Sequence, residues 1–319
     1  TEYGRTAPTG AINLVTKQPV LGNGISGTVQ VGSGQRRRAT ADLNRQMGET
    51  GAFRLNVLGQ ESGVYGRDQI ENNRWGIAPS LAFGLGTPTR VYLDYLHVKQ
   101  NNVPDGGIPT IGLPGYSSPD GRAFLNDAPK VDQDNYYGTT QDKDHVTQDL
   151  FTVIVEHDFD ENVALHNLSR IGRTTQDYLL TSFMGSTANL LTPKPADPST
   201  WTIARSSPTF KHQSNRIATN QTNLTATIES GAVTQDISAG IELTQEKART
   251  IGIAPLAGST WPAANLYKPY SHVGGLRYGE TGAHSDGKTN TAAAYFFDTL
   301  KFGDSWQVNG GVRIDHYKT

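Results

Sequence analysis

A chain of 319 residues with 35% hydrophobic residues, 35 glycines and a mean hydropathy of −0.49 has no large oily core, and it contains no run of about 18 apolar residues that could cross a membrane as a helix. A formal charge of −2 leaves no basic surplus to neutralise phosphates and argues against a nucleic-acid partner. The lack of cysteine removes thiol catalysis, Cys-type zinc and disulfide stapling.

The chain opens at Thr1 with neither an initiator Met nor a charged-then-apolar signal segment. It stops at Tyr317, Lys318 and Thr319 inside an alternating pattern, which predicts an excised piece of a longer protein. Between those ends the dominant signal is alternation with period two, the mark of strands with one apolar face. From Ile25 to Ser33, Ile25, Val29 and Val31 alternate with Ser26, Thr28 and Gln30. Ala39, Ala41 and Leu43 then oppose Asp42, Asn44 and Gln46, and Phe53, Leu55 and Val57 oppose Arg54 and Asn56. Trp75, Ile77, Leu81 and Phe83 oppose Gly76, Ala78, Ser80 and Ala82. A less regular strand follows at 90–102. Phe151, Val153, Val155 and Phe159 oppose Thr152, Glu156 and Asp158. Strands with weaker contrast come at 163–181, 215–229 and 289–302. Ile237, Ala239, Ile241 and Leu243 oppose Asp236, Ser238 and Glu242, and Trp306, Val308, Val312 and Ile314 oppose Gln307, Asn309, Arg313 and Asp315. Eleven strands are predicted.

The connections alternate in length. Tight turns follow the even strands, at 48, 85, 160, 230 and 303, whereas the odd strands are followed by longer excursions, above all 103–146, 182–214 and 251–288. A soluble sandwich has no reason to gather its long loops at one end. An outer-membrane barrel has: its strands span the bilayer in about 9 to 11 tilted residues, with short periplasmic turns, long extracellular loops, an apolar lipid face and a polar lumen. Hydrocarbon satisfies no backbone N–H or C=O, so such a sheet must close on itself. The predicted fold is therefore all-β, a transmembrane antiparallel β-barrel in the bacterial outer membrane, in contact with its lipid. Tyr65, Trp75, Tyr178, Trp306 and Tyr317 are expected in interfacial girdles. Eleven is odd and an open sheet leaves two exposed edges, so these strands are expected to be half of a plugged barrel of about 22.

Residues GNGISG at 22–27 match the dinucleotide pattern G-x-G-x-x-G, but an alternating strand follows where the pattern needs a helix, so Gly22, Gly24 and Gly27 are read as a turn into the wall. Asp132, Asp134, Asp142, Asp144 and His145 miss calcium-loop spacing and are read as solvated loop. His97, His157 and His166 have no i, i+4 pairing, so no metal site is expected. No catalytic constellation is visible, and the chain is read as a non-enzyme.

The opening EYGRTAPTGAINLVTKQP resembles the end of the plug domain of TonB-dependent outer-membrane receptors, and AFGLGTPTRVYLDYLHVKQNNVPDGGIPTIGLPGYSSP, TNQTNLT and NGGVRIDHY resemble the catecholate-siderophore subgroup of that family. The resemblance covers nearly the whole chain. It implies residues 1–24 as the C-terminal end of a plug and linker, lying against the inner surface, and residues 25–319 as the first half of the barrel. It also implies import of a ferric catecholate siderophore, driven through TonB–ExbB–ExbD by way of an N-terminal part not in this chain. Iron would be carried as the siderophore complex, with no covalently bound cofactor. A chain without the TonB-interacting segment, most of the plug and half the wall is not expected to transport alone. The other readings are a passive porin, which the GAINLVTKQP segment opposes, and a structural or adhesin barrel; a β-helix or propeller would show repeats, and none is found.

A ferric catecholate is anionic with flat aromatic rings, which Arg or Lys would recognise by charge and Tyr or Trp by stacking, with no direct protein ligand to iron. The long loops supply the candidates: Arg67, Tyr116, Arg122, Lys130, Tyr136 and Tyr137, followed by Trp201, Arg205 and Arg277.

Overall fold

The computed structural model describes residues 16–303 and 305–319. Eleven long strands form one antiparallel meander in which each pairs with its sequence neighbours. They are β1 Gly24–Gly32, β2 Arg36–Met47, β3 Gly51–Glu61, β4 Arg67–Phe83, β5 Thr89–Val103, β6 Lys143–Asp158, β7 Val163–Leu180, β8 Thr209–Ser230, β9 Val233–Pro255, β10 Tyr278–Phe302 and β11 Trp306–Lys318. A two-residue strand, Gly63–Val64, pairs with β4 off this path. No helix among the described residues is long and apolar enough to cross a membrane, which leaves crossing by strands open.

The even strands end in tight turns at 48–50, 84–88, 159–162, 231–232 and after Phe302, and the largest connections, 104–142, 181–208 and 256–277, all lie at the other end. Gly84 shows why glycine occupies one of these turns. Its φ is +74° and a Cβ there would sit 2.0 Å from the Thr89 carbonyl oxygen, so a side chain would be both strained and blocked.

Register sorts the faces. Ile25 pairs with Leu43, Leu43 with Leu55, Phe53 with Leu81, Leu81 with Leu93 and Leu93 with Val153. On the far side Leu224 pairs with Ala239, Ala239 with Phe296 and Phe296 with Val312. These apolar rows stand exposed or half-exposed, Ile25 and Val29 at more than 80%. The opposite face carries Asp42, Asn44, Ser80, Thr152 and Thr291, all buried. Greasy side chains out and polar side chains in is the inverse of a soluble domain and the pattern of a barrel wall in lipid.

One polar patch interrupts the outer face. Asn167, Ser169, Asn220 and Thr222 lie beside Val155, Ile241 and Leu243 but bond to one another: Asn167 Nδ2 donates to Thr222 Oγ1 at 2.7 Å and Asn220 Nδ2 to Ser169 Oγ at 2.7 Å. Mutual satisfaction is what a polar group facing hydrocarbon requires.

The girdle expectation is corrected in part. Trp75 and Trp306 are exposed on the outer face. Tyr178 pairs with Lys211 and Tyr317 with Thr291, which puts both on the inner face, one residue out of phase with the apolar row. Tyr65 lies in the tip connection beyond Gly63–Val64.

Candidate functional site

The inner face begins with the segment leading into β1. The Asp42 carboxylate accepts from Lys17 Nζ at 2.8 Å and from Arg54 Nε and Nη2 at 2.8 and 2.7 Å. Arg54 Nη1 donates to the Gln18 carbonyl at 2.8 Å, Gln18 Nε2 to Asp94 at 3.0 Å, and the Asn44 amide both donates to and accepts from the Val20 backbone. Residues 17–22 are thus laced to the wall by charge-assisted bonds, the strong kind. The earlier part of the segment read as plug, including its Gly-Ala-Ile-Asn run, lies outside the described residues.

Above this strap the inner wall is rich in amides and cations. Arg38, Gln60, Arg74, Gln100, Val146, Gln176 and Gln213 occupy one pairing row. The adjoining row towards the loops holds Asn72, Asn102, Asp144, Tyr178 and Lys211. Arg38 Nη1 donates to Gln60 Oε1 at 3.0 Å, and Arg74 Nε is buried without a hydrogen-bond partner among the described residues. Such a wall offers many donors and net positive charge, suited to a large anionic solute. The loop-centred sequence reading missed these strand residues. The signal that could have found them is parity, since Arg38, Arg74 and Lys211 sit out of phase with the apolar row.

The three long connections fold together over this end. Ile111, Leu125, Val131, Tyr137, Leu190, Trp201, Ile203, Ala264 and Leu266 form their shared core. Leu190–Leu191, Thr202–Ile203 and Ala264–Asn265 make a small three-stranded sheet that ties the second connection to the third. At the centre Arg205, 5% exposed, donates to the carbonyls of Tyr137, Pro262 and Tyr270 at 2.7, 2.8 and 2.6 Å, one group reaching all three connections' chains. Burial lowers its pKa from the usual guanidinium value.

The candidates named from sequence fall into distinct places. Tyr136 and Tyr137 are buried within the loop assembly. Tyr136 Oη donates to Asp142 at 3.2 Å and Tyr137 Oη to the Leu266 carbonyl, while burial raises both phenols, Tyr137 to about 12. Trp201 is buried there too. Arg67 is held by Asp105 at 2.6 Å. Arg122 is held by Asp120 at 2.8 Å, which lowers the Asp120 pKa, and it donates to the Leu190 carbonyl at 2.9 Å. Tyr116 packs half-buried against the loop core, Lys130 is exposed, and exposed Arg277 donates to the Ala257 carbonyl at 2.8 Å.

The acidic segment read as solvated loop divides. Asp132 and Asp134 are exposed, Asp144 is on β6, but Asp142 is 4% exposed and accepts from Thr139 Oγ1 at 2.9 Å and Thr181 N at 2.8 Å. Thr139 and Tyr136 are near in sequence, but Thr181 comes from the second connection, which spacing does not reveal. Burial raises the Asp142 pKa above the ordinary carboxylate value. A carboxyl raised on folding contributes stability that is fully present below its unfolded pKa and is lost as pH rises through the folded one. Amide protection in residues 139–142 and 181–183, taken relative to the intrinsic exchange rate at each pH, is therefore expected to rise on acidification from pH 7 towards the unfolded carboxyl range. Asp142→Asn is expected to abolish that dependence, and an unchanged pH profile in the variant would refute the assignment. Among the described residues no group of three or more His, Asp or Glu side chains is placed to hold a metal ion.

The family described as TonB dependent receptor-like, beta-barrel matches residues 79–319. Among curated proteins the catecholate siderophore receptor Fiu of Escherichia coli strain UTI89 is 49% identical over 100% of this chain and 41% of its own length. Its counterpart in strain K12 is 48% identical with the same coverage. The crystal structure of the ferric-catecholate import receptor Fiu from E. coli K12, open form, has a TM-score of 0.93 at 47% identity, covering 99% of this chain and 48% of that one. The siderophore receptor PiuA from Acinetobacter baumannii, 24% identical, shares the fold with a TM-score of 0.81 over 95% of this chain and 43% of that one. The chain spans about two fifths of the length of the curated relatives it matches.

Proposed function

The chain belongs to the TonB-dependent receptor family of outer-membrane β-barrels, and we propose from that membership that it forms one half of the wall, and the end of the plug, of a ferric catecholate siderophore transporter. Residues 1–24 are then the C-terminal end of the plug and its linker, and residues 25–319 the first half of a barrel of about 22 strands. The observation that carries the ligand class is identity of 48–49% along the whole chain, loops included, with receptors named for catecholate siderophores. The geometry supports it: an anionic complex would meet the inner row of amides and cations beneath a folded loop cap. Iron enters as cargo, wrapped in its siderophore. Arg67, Tyr116, Arg122 and Lys130 are the proposed loop contacts, whereas Tyr136, Tyr137 and Arg205 hold the loop frame. The strap at residues 17–22, tied to Asp42 and Asn44, favours a plugged receptor over a passive pore. Energy would come from the TonB–ExbB–ExbD complex acting on the plug.

The complete parent protein, expressed in an iron-starved strain lacking its own catecholate receptors, is expected to restore growth on ferric catecholates, and deletion of TonB is expected to abolish it. Growth without TonB, or none on any catecholate, would defeat the proposal.

A further inference from the structure

The polar patch on the outer face of β7 and β8 is a closed island in the apolar rows. Asn167 pairs with Thr222 and Ser169 with Asn220. Val155 and Ile241 flank the first pair, Val153 and Leu243 the second. Leu165 with Leu224 bounds the island below, and Ile171 with Ala218 bounds it above. A ring of hydrogen bonds spends every polar hydrogen of the four side chains. Asn167 Nδ2 donates to Thr222 Oγ1 at 2.7 Å and to Asn220 Oδ1 at 3.4 Å, and Asn220 Nδ2 donates to Ser169 Oγ at 2.7 Å and to Asn167 Oδ1 at 3.3 Å. The Ser169 hydroxyl donates to Asn167 Oδ1 and the Thr222 hydroxyl to Asn220 Oδ1, both at 3.4 Å. All but two of these bonds are longer than the ~2.7–3.2 Å of ordinary hydrogen bonds.

The island lies at hydrocarbon depth. Asn167 stands about five residues above the turn at 159–162 and Thr222 about nine above that at 231–232, roughly 12–25 Å up strands of ~3.3 Å rise and ~40° tilt, within an apolar band ~25 Å tall. It is also recessed. The four polar side chains are half-buried, whereas Ile171, Ile241 and Leu243 around them are 60%, 52% and 56% exposed. Ser169, Asn220, Ala218 and Ala292 line a hollow of about 800 Å³ together with Ile171 and Leu243. Bulky crests beside a hollow of small and polar side chains make a surface able to pack against its own image.

We infer that this island is the centre of a lateral interface with a second copy of the receptor, in which Asn167 and Asn220 exchange the long bonds of the ring for amide bonds across the interface. A hydrocarbon chain offers neither donor nor acceptor, so lipid leaves the ring closed on itself and gains nothing from it. A second copy is different. The bilayer fixes its depth and its orientation, so the same amides arrive at the same height, and a twofold axis along the membrane normal brings the two islands face to face. An asparagine side chain carries donor and acceptor together and is its own complement. Polar side chains at hydrocarbon depth join membrane segments in this way, and small neighbours let the backbones approach. The closed ring is the form kept by a lone barrel in dilute lipid. The inference rests on the barrel reading but is independent of which siderophore enters, because the island faces away from the lumen.

The test uses the complete receptor, labelled with donor and acceptor fluorophores and reconstituted in phospholipid vesicles over a range of protein-to-lipid ratios. Energy transfer in wild type is expected to rise and saturate with protein density, and single complexes are expected to bleach in two steps. The double variant Asn167→Val, Asn220→Val, which keeps strand propensity and removes the amides, is expected to associate about tenfold more weakly. Ala218→Trp, which fills the hollow beside an intact ring, is expected to show a loss of similar size and keeps the test available if the double variant does not fold. Ala41→Trp, the same addition on the outer face of β2, is expected to associate like wild type. A wild type that stays monomeric at every density, undiminished association in the valine variant, or an equal loss with Ala41→Trp would each overturn the inference. Growth of the same strains on ferric catecholates tests the transport reading separately.

Discussion

Arginine placed at Ile241 is expected to cost about 2–4 kcal/mol of barrel stability, the cost of a cation at the middle of the lipid face. The same substitution at Gln221 is expected to cost little. The two positions lie on neighbouring strands but on opposite faces. Ile241 pairs with Thr222 and Ala294 in an outer row and is 52% exposed, whereas Gln221 pairs with Leu168 and Glu242 on the inner face, where Arg313 already bonds Glu242 at 3.1 Å. Height adds to the effect, since Ile241 lies well above the short turn at 231–232 and well below the strand's loop end at Pro255. Folding equilibria of the complete receptor in lipid vesicles read the difference directly. Equal losses at the two positions would reverse the assignment of faces, and with it the reading of the inner cations as facing a solute.

Face assignment is also what the sequence makes most legible. Period-two contrast is strong from Ile25 to Ser33 and from Ile237 to Leu243 because one side of those segments meets hydrocarbon and the other meets the lumen. The same strands continue where no contrast is possible. β9 extends to Pro255 and β10 begins at Tyr278, and the stretches Gln245–Thr250 and Gly282–Lys288 are polar on both faces because water wets both beyond the bilayer. The connection read as 251–288 is therefore only 256–277. Parity, where it could be counted, outperformed proximity to a strand end: Tyr178 and Tyr317 sit near ends yet face inward.

The loop assembly was illegible for a different reason. Tyr136 and Tyr137 look like surface aromatics in a Gly- and Asp-rich loop, and what buries them is Leu266, Phe183 and Asp142. The contacts of Tyr137 with Phe183 and with Leu266, which lies 129 residues along the chain, leave no local pattern. Cations chosen by loop membership, such as Arg67 and Arg122, turned out to carry their own carboxylates, while Arg38 and Arg74, on strands, face the lumen.

Arg205→Met is expected to release the loop cap while leaving the wall intact. Among the described residues the guanidinium is the one group bonded at once to the carbonyls of Tyr137, Pro262 and Tyr270, and each acceptor left buried without a donor costs about 1–3 kcal/mol. These losses fall on a small apolar core around Trp201 and Leu125, which must also hold the connections against their conformational entropy. Proteolysis and amide exchange in 181–208 and 256–277 are expected to accelerate by at least tenfold, with the thermal midpoint of the barrel unmoved, because the eleven-strand ladder has no part in these bonds. Arg205→Lys is expected to fall short of rescue, since an ammonium lacks the planar fork that spans three directions. If the cap organises the ligand contacts, affinity for a ferric catecholate falls with protection in the same variants. Protection lost with affinity unchanged would place binding wholly on the inner wall, at Arg38, Arg74 and Lys211, and wild-type protection in Arg205→Met would show that the loop core stands without its central cation.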